Sequence, residues 1–150
     1  MNNRRCGGVL MHISSLPGKY ATGTMGKEAK AFADSLREMG FSLWQTLPLN
    51  PVDMSGSPYC SNSAFAGNIA LIDPYLLFES GFITESELKE NEYSGSKYIA
   101  NYSFAFEKRL LTLRRAFSRI DSDTRAHIDI FASQNEWVLP YAYFMVVKDS

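Results

Sequence analysis

Cysteine and histidine are scarce, with two of each in 150 residues. Cys6 and Cys60 cannot build a disulfide framework, and His12 and His127 cannot build a metal cluster. No apolar run approaches the roughly 18 residues that a membrane helix needs. Residues 7–13 are too short and too interrupted for a signal-peptide core. Neither sign of charge dominates: fifteen Lys and Arg face sixteen Asp and Glu, for a net charge of -1. That balance creates no global field for nucleic acid or an anionic membrane. Gly23-Thr24-Met25-Gly26 lacks the Gly-Lys-Ser/Thr ending of a nucleotide loop, and no dinucleotide-type glycine fingerprint occurs. Internal repeats and low-complexity tracts are also missing. A soluble cytoplasmic protein is the expectation.

What is present is an ordinary globular composition, 45% hydrophobic and 21% charged, with a mild excess of aromatics at 13%. Residues 9–13 read as a short buried strand, stopped by Pro17 and Gly18. A helix follows over 27–39, because Ala29, Phe32, Ala33, Leu36 and Met39 recur on one face. Gly40 suits its C-terminal cap. Residues 43–47 form a second strand, closed by Pro48. From the start of the first strand to the start of the second is about 34 residues, the size of one strand–helix–strand crossover, so they should be parallel.

After a polar loop, residues 69–72 read as extended and buried. Asp73-Pro74 then reads as cap and first residue of a short helix ending at Gly81. Thr84 and Glu87 match a capping box for another short helix. Glu85, Glu87, Glu90 and Glu92 read as a solvated run. Residues 102–118 form a long amphipathic helix, capped by Asn101, with Phe106, Leu110, Leu113 and Phe117 as its apolar stripe. Asp123 can cap a further helix over 124–138, which Pro140 breaks or restarts. The six basic residues from Lys108 to Arg125 read as the wet face of these helices. Trp137, Tyr141, Tyr143 and Phe144 read as an interface or, more readily, as core residues that wait for further strands.

The fold class expected is α/β. Residues 1–73 form a strand–helix–strand unit with a cleft loop, and 74–150 a truncated helical insertion. A parallel pair with one covering helix is not a finished core, which points to the front of a longer protein with possible self-association through exposed core surface.

The strongest chemical signal is the loop after the second strand, Ser57-Pro58-Tyr59-Cys60-Ser61-Asn62-Ser63-Ala64-Phe65-Ala66-Gly67-Asn68. Small hydroxyls and amides around a flat phenol suit a sugar, and the loop leaves the C-terminal end of a parallel strand. The plainer reading is a surface loop anchored by Tyr59 and Phe65. Ser14-Ser15 lies on the same face, as a cleft edge or simply a tight turn. His12 reads as structural more readily than functional, and Cys60 has no activating partner nearby. Glycosyl transfer needs two facing carboxylates, and no such pair follows a strand here.

Residues 8–18, Trp44-Gln45-Thr46-Leu47-Pro48-Leu49, and Ser57-Pro58-Tyr59 with Ser63-Ala64-Phe65-Ala66-Gly67-Asn68 resemble, in order and spacing, the opening of the 4-alpha-glucanotransferases, or amylomaltases. The resemblance implies the N-terminal portion of a (β/α)8 TIM barrel with helical insertions. It also implies a retaining transfer of alpha-1,4-glucan segments between maltooligosaccharides or to glucose. An Asp nucleophile, a Glu acid/base and a further Asp would lie on later strands, so no catalytic residue is expected in this chain. Tyr59 matches the tyrosine that stacks on a glucose unit, and Ser57 a polar neighbour in that subsite. Trp44 and Gln45 match a mainly structural strand, and Asn68 a residue that holds the loop. No cofactor is implied, because carboxylate chemistry needs neither metal nor nucleotide. Cys60 stands where Gln is common, Asn101 where Asp is common, and Pro140 where a carboxylate is common. A non-catalytic alpha-glucan-binding module is the alternative function.

Overall fold

The computed structural model describes residues 5–53, 55–96 and 98–148. The chain ends 1–4 and 149–150, included in the two expected segments, lie outside the described residues. Among these residues the chain is mostly helical around one two-stranded sheet, and no barrel is closed. Strand β1 (Gly8–Leu10) runs parallel to β2 (Leu43–Gln45), with Val9 opposite Trp44. Helix α1 (Lys27–Glu38) makes the crossover, and Gly40 follows it at φ +83°.

The alternation of side chains in a strand explains which face is covered. Val9 and Trp44 share one face, and Trp44 meets Phe32 of α1 edge to face at 4.9 Å. Leu10 and Leu43 lie on the other face and are 59% and 56% exposed. The first strand is therefore shorter than expected and not buried on both faces, because α1 covers only one side. The core forms just beyond the strands, where Ile13, Leu16 and Leu71 pack with Met11, Ala29, Phe32, Trp44 and Leu49. Residues 13–15 turn into a short 3₁₀ helix.

Residues 69–72 are buried as expected but not extended. Ile69–Leu71 is a 3₁₀ helix, since the Asn68 side chain accepts the Ala70 N–H and starts a turn. This turn ties the front of the chain down: Thr22 Oγ1 donates to Ala70 O at 3.1 Å, and Met25 N–H donates to Leu71 O at 2.8 Å. Asp73 caps α2 (Pro74–Glu79) through Tyr75 N–H, and its other oxygen accepts the Thr24 hydroxyl at 3.0 Å. The Asp73 carboxylate also lies against Gly26, where any Cβ would collide with it. The Gly23–Gly26 segment thus seats a buried carboxylate.

The capping box of α3 (Glu85–Lys89) is present, but Glu87 is not solvated. It is buried, and Arg119 holds both of its oxygens, at 2.6 and 2.9 Å. Helix α4 (Tyr102–Phe117) is capped by Asn101 as expected. Its buried stripe is Ala105, Arg109, Thr112 and Ala116, one position away from the apolar stripe read from sequence. Phe106 and Phe117 are instead 41% and 46% exposed. The reason is a polar core: Arg109, fully buried, donates to Asn91 Oδ1 at 2.6 Å, and Asn91 donates to Thr112 at 2.8 Å. Arg109 also reaches Tyr20 O at 3.5 Å and lies 5.6 Å from the Tyr20 ring. The wet-face reading of the basic segment fails at this residue. Burial pushes the Arg109 guanidinium down to about 10 and the Tyr20 phenol up to about 12.

Helix α5 (Ser122–Gln134) is capped by Asp121, not Asp123, because Asp121 accepts the Thr124 N–H at 2.7 Å. Helix α6 (Val138–Lys148) restarts the chain with Pro140 in its first turn, where a missing N–H costs nothing.

Candidate functional site

The loop that leaves β2 returns to its own starting point. Leu49 O accepts the Asn68 N–H at 2.8 Å, so the two ends of the loop are hydrogen-bonded together. Leu49 is packed on the core, which gives this base a fixed position. Compact loops with joined ends are frequent carriers of function.

Within the loop, short polar side chains replace the backbone pairing that a strand would provide. Asp53 Oδ1 accepts from Ser55 N and Oγ, at 3.0 and 2.6 Å, and from Ser57 N at 3.3 Å. These bonds, the Ser55 hydroxyl first, hold the exposed Asp53 carboxyl below its ordinary value. Ser63 Oγ accepts from Phe65 N and Ala66 N, at 3.2 and 3.0 Å. Asn50 donates from Nδ2 to Ser63 O at 3.0 Å and to Ala66 O at 3.3 Å.

Ser57 and Tyr59, the two sugar contacts expected from sequence, are brought together. Tyr59 N–H donates to Ser57 Oγ at 3.4 Å, which leaves the serine proton available to an outside acceptor. The Tyr59 side chain is 73% exposed and does not anchor the loop. Phe65 stacks on Trp137 at 6.3 Å with 17° between the rings, which sets the start of α6 beside the loop. Gly56 lies against the Tyr102 ring of α4 at φ +74°. A cavity of about 390 Å³ separates Val52 and Asp53 from α4 and the end of α6. Asn68, buried and with no partner for Nδ2, borders it. Trp44 and Gln45 are strand residues, and the Trp44 indole donates to Met11 O at 2.8 Å.

The other candidates separate from this loop. Ser14 is buried and its carbonyl accepts the Gly23 N–H, which makes residues 14–18 a packed turn on the rim of a cleft of about 490 Å³. His12 is buried with neither ring nitrogen hydrogen-bonded, and burial lowers its pKa. His127 and Cys60 are exposed. Among the described residues, no group of three His, Cys, Asp or Glu side chains could hold a metal ion. No helix there is long and apolar enough to cross a membrane. Asn50 and Asp53 were not expected as braces; Asn and Asp at turns are the only sequence signal for them.

Comparison with known proteins decides the family. A family model described as 4-alpha-glucanotransferase matches residues 11–150. The chain belongs to the 4-alpha-glucanotransferase family. It is 41% identical to the 4-alpha-glucanotransferase of Aquifex aeolicus over 97% of this chain and 29% of that protein. To the enzyme of Clostridium butyricum it is 37% identical, over 92% of this chain and 28% of the relative. The structure of an amylomaltase from Streptococcus agalactiae in complex with acarbose superimposes with a TM-score of 0.91 at 38% identity. The match covers 97% of this chain and 30% of that one. The chain thus spans less than a third of the length of these relatives.

Proposed function

We propose that this chain forms the front, sugar-contacting part of a 4-alpha-glucanotransferase. The parent would move alpha-1,4-glucan segments between maltooligosaccharides, or to glucose, by a retaining mechanism. In this reading residues 1–73 open a (β/α)8 barrel and 74–150 form its helical insertion, in a cytoplasmic enzyme without cofactor. The observation that carries it is the exposed Tyr59 ring beside Ser57, on a closed loop beyond the C-terminal end of a parallel strand. Active sites of alternating strand–helix barrels gather at that end. Tyr59 would supply the flat face for a glucose ring, and Ser57 a hydroxyl donor. The loop needs no rearrangement to present either group, which lowers the ordering cost of binding.

The acid/base and nucleophile of a retaining transfer require two carboxyl groups about 5 Å apart. Family resemblance assigns both to later strands, so the isolated chain is proposed to be inactive. Two measurements test the proposal. Incubation with maltotriose should yield no ladder of longer and shorter glucans; a ladder overturns the inactivity. Titration with maltoheptaose should give binding that Tyr59→Ala abolishes; affinity unchanged by that substitution overturns the role of Tyr59.

A further inference from the structure

We propose that Asn50 is a positioning residue that presets the sugar-contacting loop. The inference rests on the glucan reading of Tyr59 and Ser57 and extends it to the group that holds them in place. Asn50 follows Leu49, which is both seated in the core and hydrogen-bonded to the loop's far end through Asn68 N–H. From this fixed base the Asn50 amide crosses the loop and donates to two carbonyls, Ser63 O and Ala66 O. Ser63 relays the hold in both directions. Its hydroxyl accepts the Phe65 and Ala66 N–H groups, and its carbonyl accepts the Ser61 hydroxyl at 2.8 Å. Ser61 Oγ in turn accepts the Ser63 N–H at 3.3 Å. The chain of bonds therefore runs from the core to within two residues of Tyr59.

The side of Tyr59 nearer β2 is held separately, by Asp53 on Ser55 and Ser57. Tyr59 itself is largely exposed, so its own packing does little to fix its position. The backbone that carries it is held by these braces together with the Gly56–Tyr102 and Phe65–Trp137 contacts, and of the two hydrogen-bonded braces only Asn50 starts at the core. One donor shared by two carbonyls suits an amide, because the two N–H bonds of Nδ2 diverge. A carboxylate at position 50 would present acceptors to acceptors.

The test uses the 150-residue chain with maltoheptaose as probe. Asn50→Leu keeps the size and removes the donor; Asn50→Gln keeps the donor on a longer arm. Asn50→Leu should weaken maltoheptaose binding about tenfold, the loss of one or two hydrogen bonds' worth of preorganisation. Asn50→Gln should recover part of it. Amide exchange at Phe65 and Ala66 should accelerate in Asn50→Leu, while α1 and α4 amides exchange as in wild type. If Asn50→Leu fails to fold, Asn50→Gln and Asn50→Ser are read by the same exchange and binding assays. Unchanged binding and unchanged loop exchange overturn the proposal. A general loss of protection, with α1 and α4 exchanging faster too, also overturns it, because Asn50 is then only structural. If wild type does not bind maltoheptaose while loop exchange responds to Asn50→Leu, the glucan reading fails and the brace stands.

Discussion

Replacement of Arg109 by alanine tests whether the helical half is built around a polar core. Arg109 is fully buried, and its Nη1 donates to the buried Asn91 Oδ1 at 2.6 Å. No carboxylate pairs with it among the ion pairs of the described residues, although Asp73 lies near enough to favour its charge. Alanine removes a charged donor and leaves Asn91 Oδ1 buried without it, at a cost of about 1–3 kcal/mol. Loss of the long stem leaves a cavity between α4 and the 20s segment, which adds about 1–2 kcal/mol. The two together come to about 3 kcal/mol. At this chain length each kcal/mol moves the thermal midpoint by about 3 °C, so Arg109→Ala should melt roughly 10 °C lower. Arg109→Met keeps most of the stem and no longer requires a buried charge. It should lose less than alanine by the cavity contribution of about 1–2 kcal/mol, while Asn91 Oδ1 still lacks its donor. Circular dichroism melts of the three proteins make the comparison. An alanine variant that melts within about 2 °C of wild type would refute the reasoning, as would a methionine variant worse than alanine.

Glu87 makes the chain acid-sensitive. Its pKa is held down to about 2, first by the Arg119 guanidinium and then by the Thr84 N–H. A carboxyl depressed in the folded state lends stability that is full above its ordinary value of 4.5 and disappears as pH falls through about 2. Urea midpoints should drop across that window in wild type, and Glu87→Gln should flatten that part of the curve; an equally steep decline in the variant would refute the assignment. His12 acts at milder pH. Burial lowers its pKa from 6.5, so the unfolded chain takes up the proton first, and stability declines as pH falls below 6.5. His12→Phe should remove the slope that sets in as pH falls below 6.5, and persistence of the slope would place its origin elsewhere.

Local chemistry was mostly legible in the sequence where a few adjacent residues decide the outcome, the α5 cap being the exception, read at Asp123 and found at Asp121. Asp73-Pro74, Thr84 with Glu87, Asn101 and Gly40 all perform the capping roles read from them, because a cap is completed within three or four residues. The parallel pair of strands was legible too, since the crossover length left little alternative. The loop's candidate sugar contacts were named from residue type and family resemblance, and the structure places Ser57 and Tyr59 side by side.

Tertiary structure alone decided which groups are buried. The apolar stripe of α4 pointed to Phe106 and Phe117, yet burial went to Arg109, because Asn91 and Tyr20 meet it from 18 and 89 residues away. Glu87 looked like one acid in a solvated run until Arg119, 32 residues on, supplied its partner. Asn50 gave no hint that it crosses the loop to Ser63 and Ala66, 13 and 16 residues later. Periodicity reports what one element offers along its own axis. The burial of a polar group depends instead on a partner brought in by chain closure, and that partner leaves no trace in the local pattern.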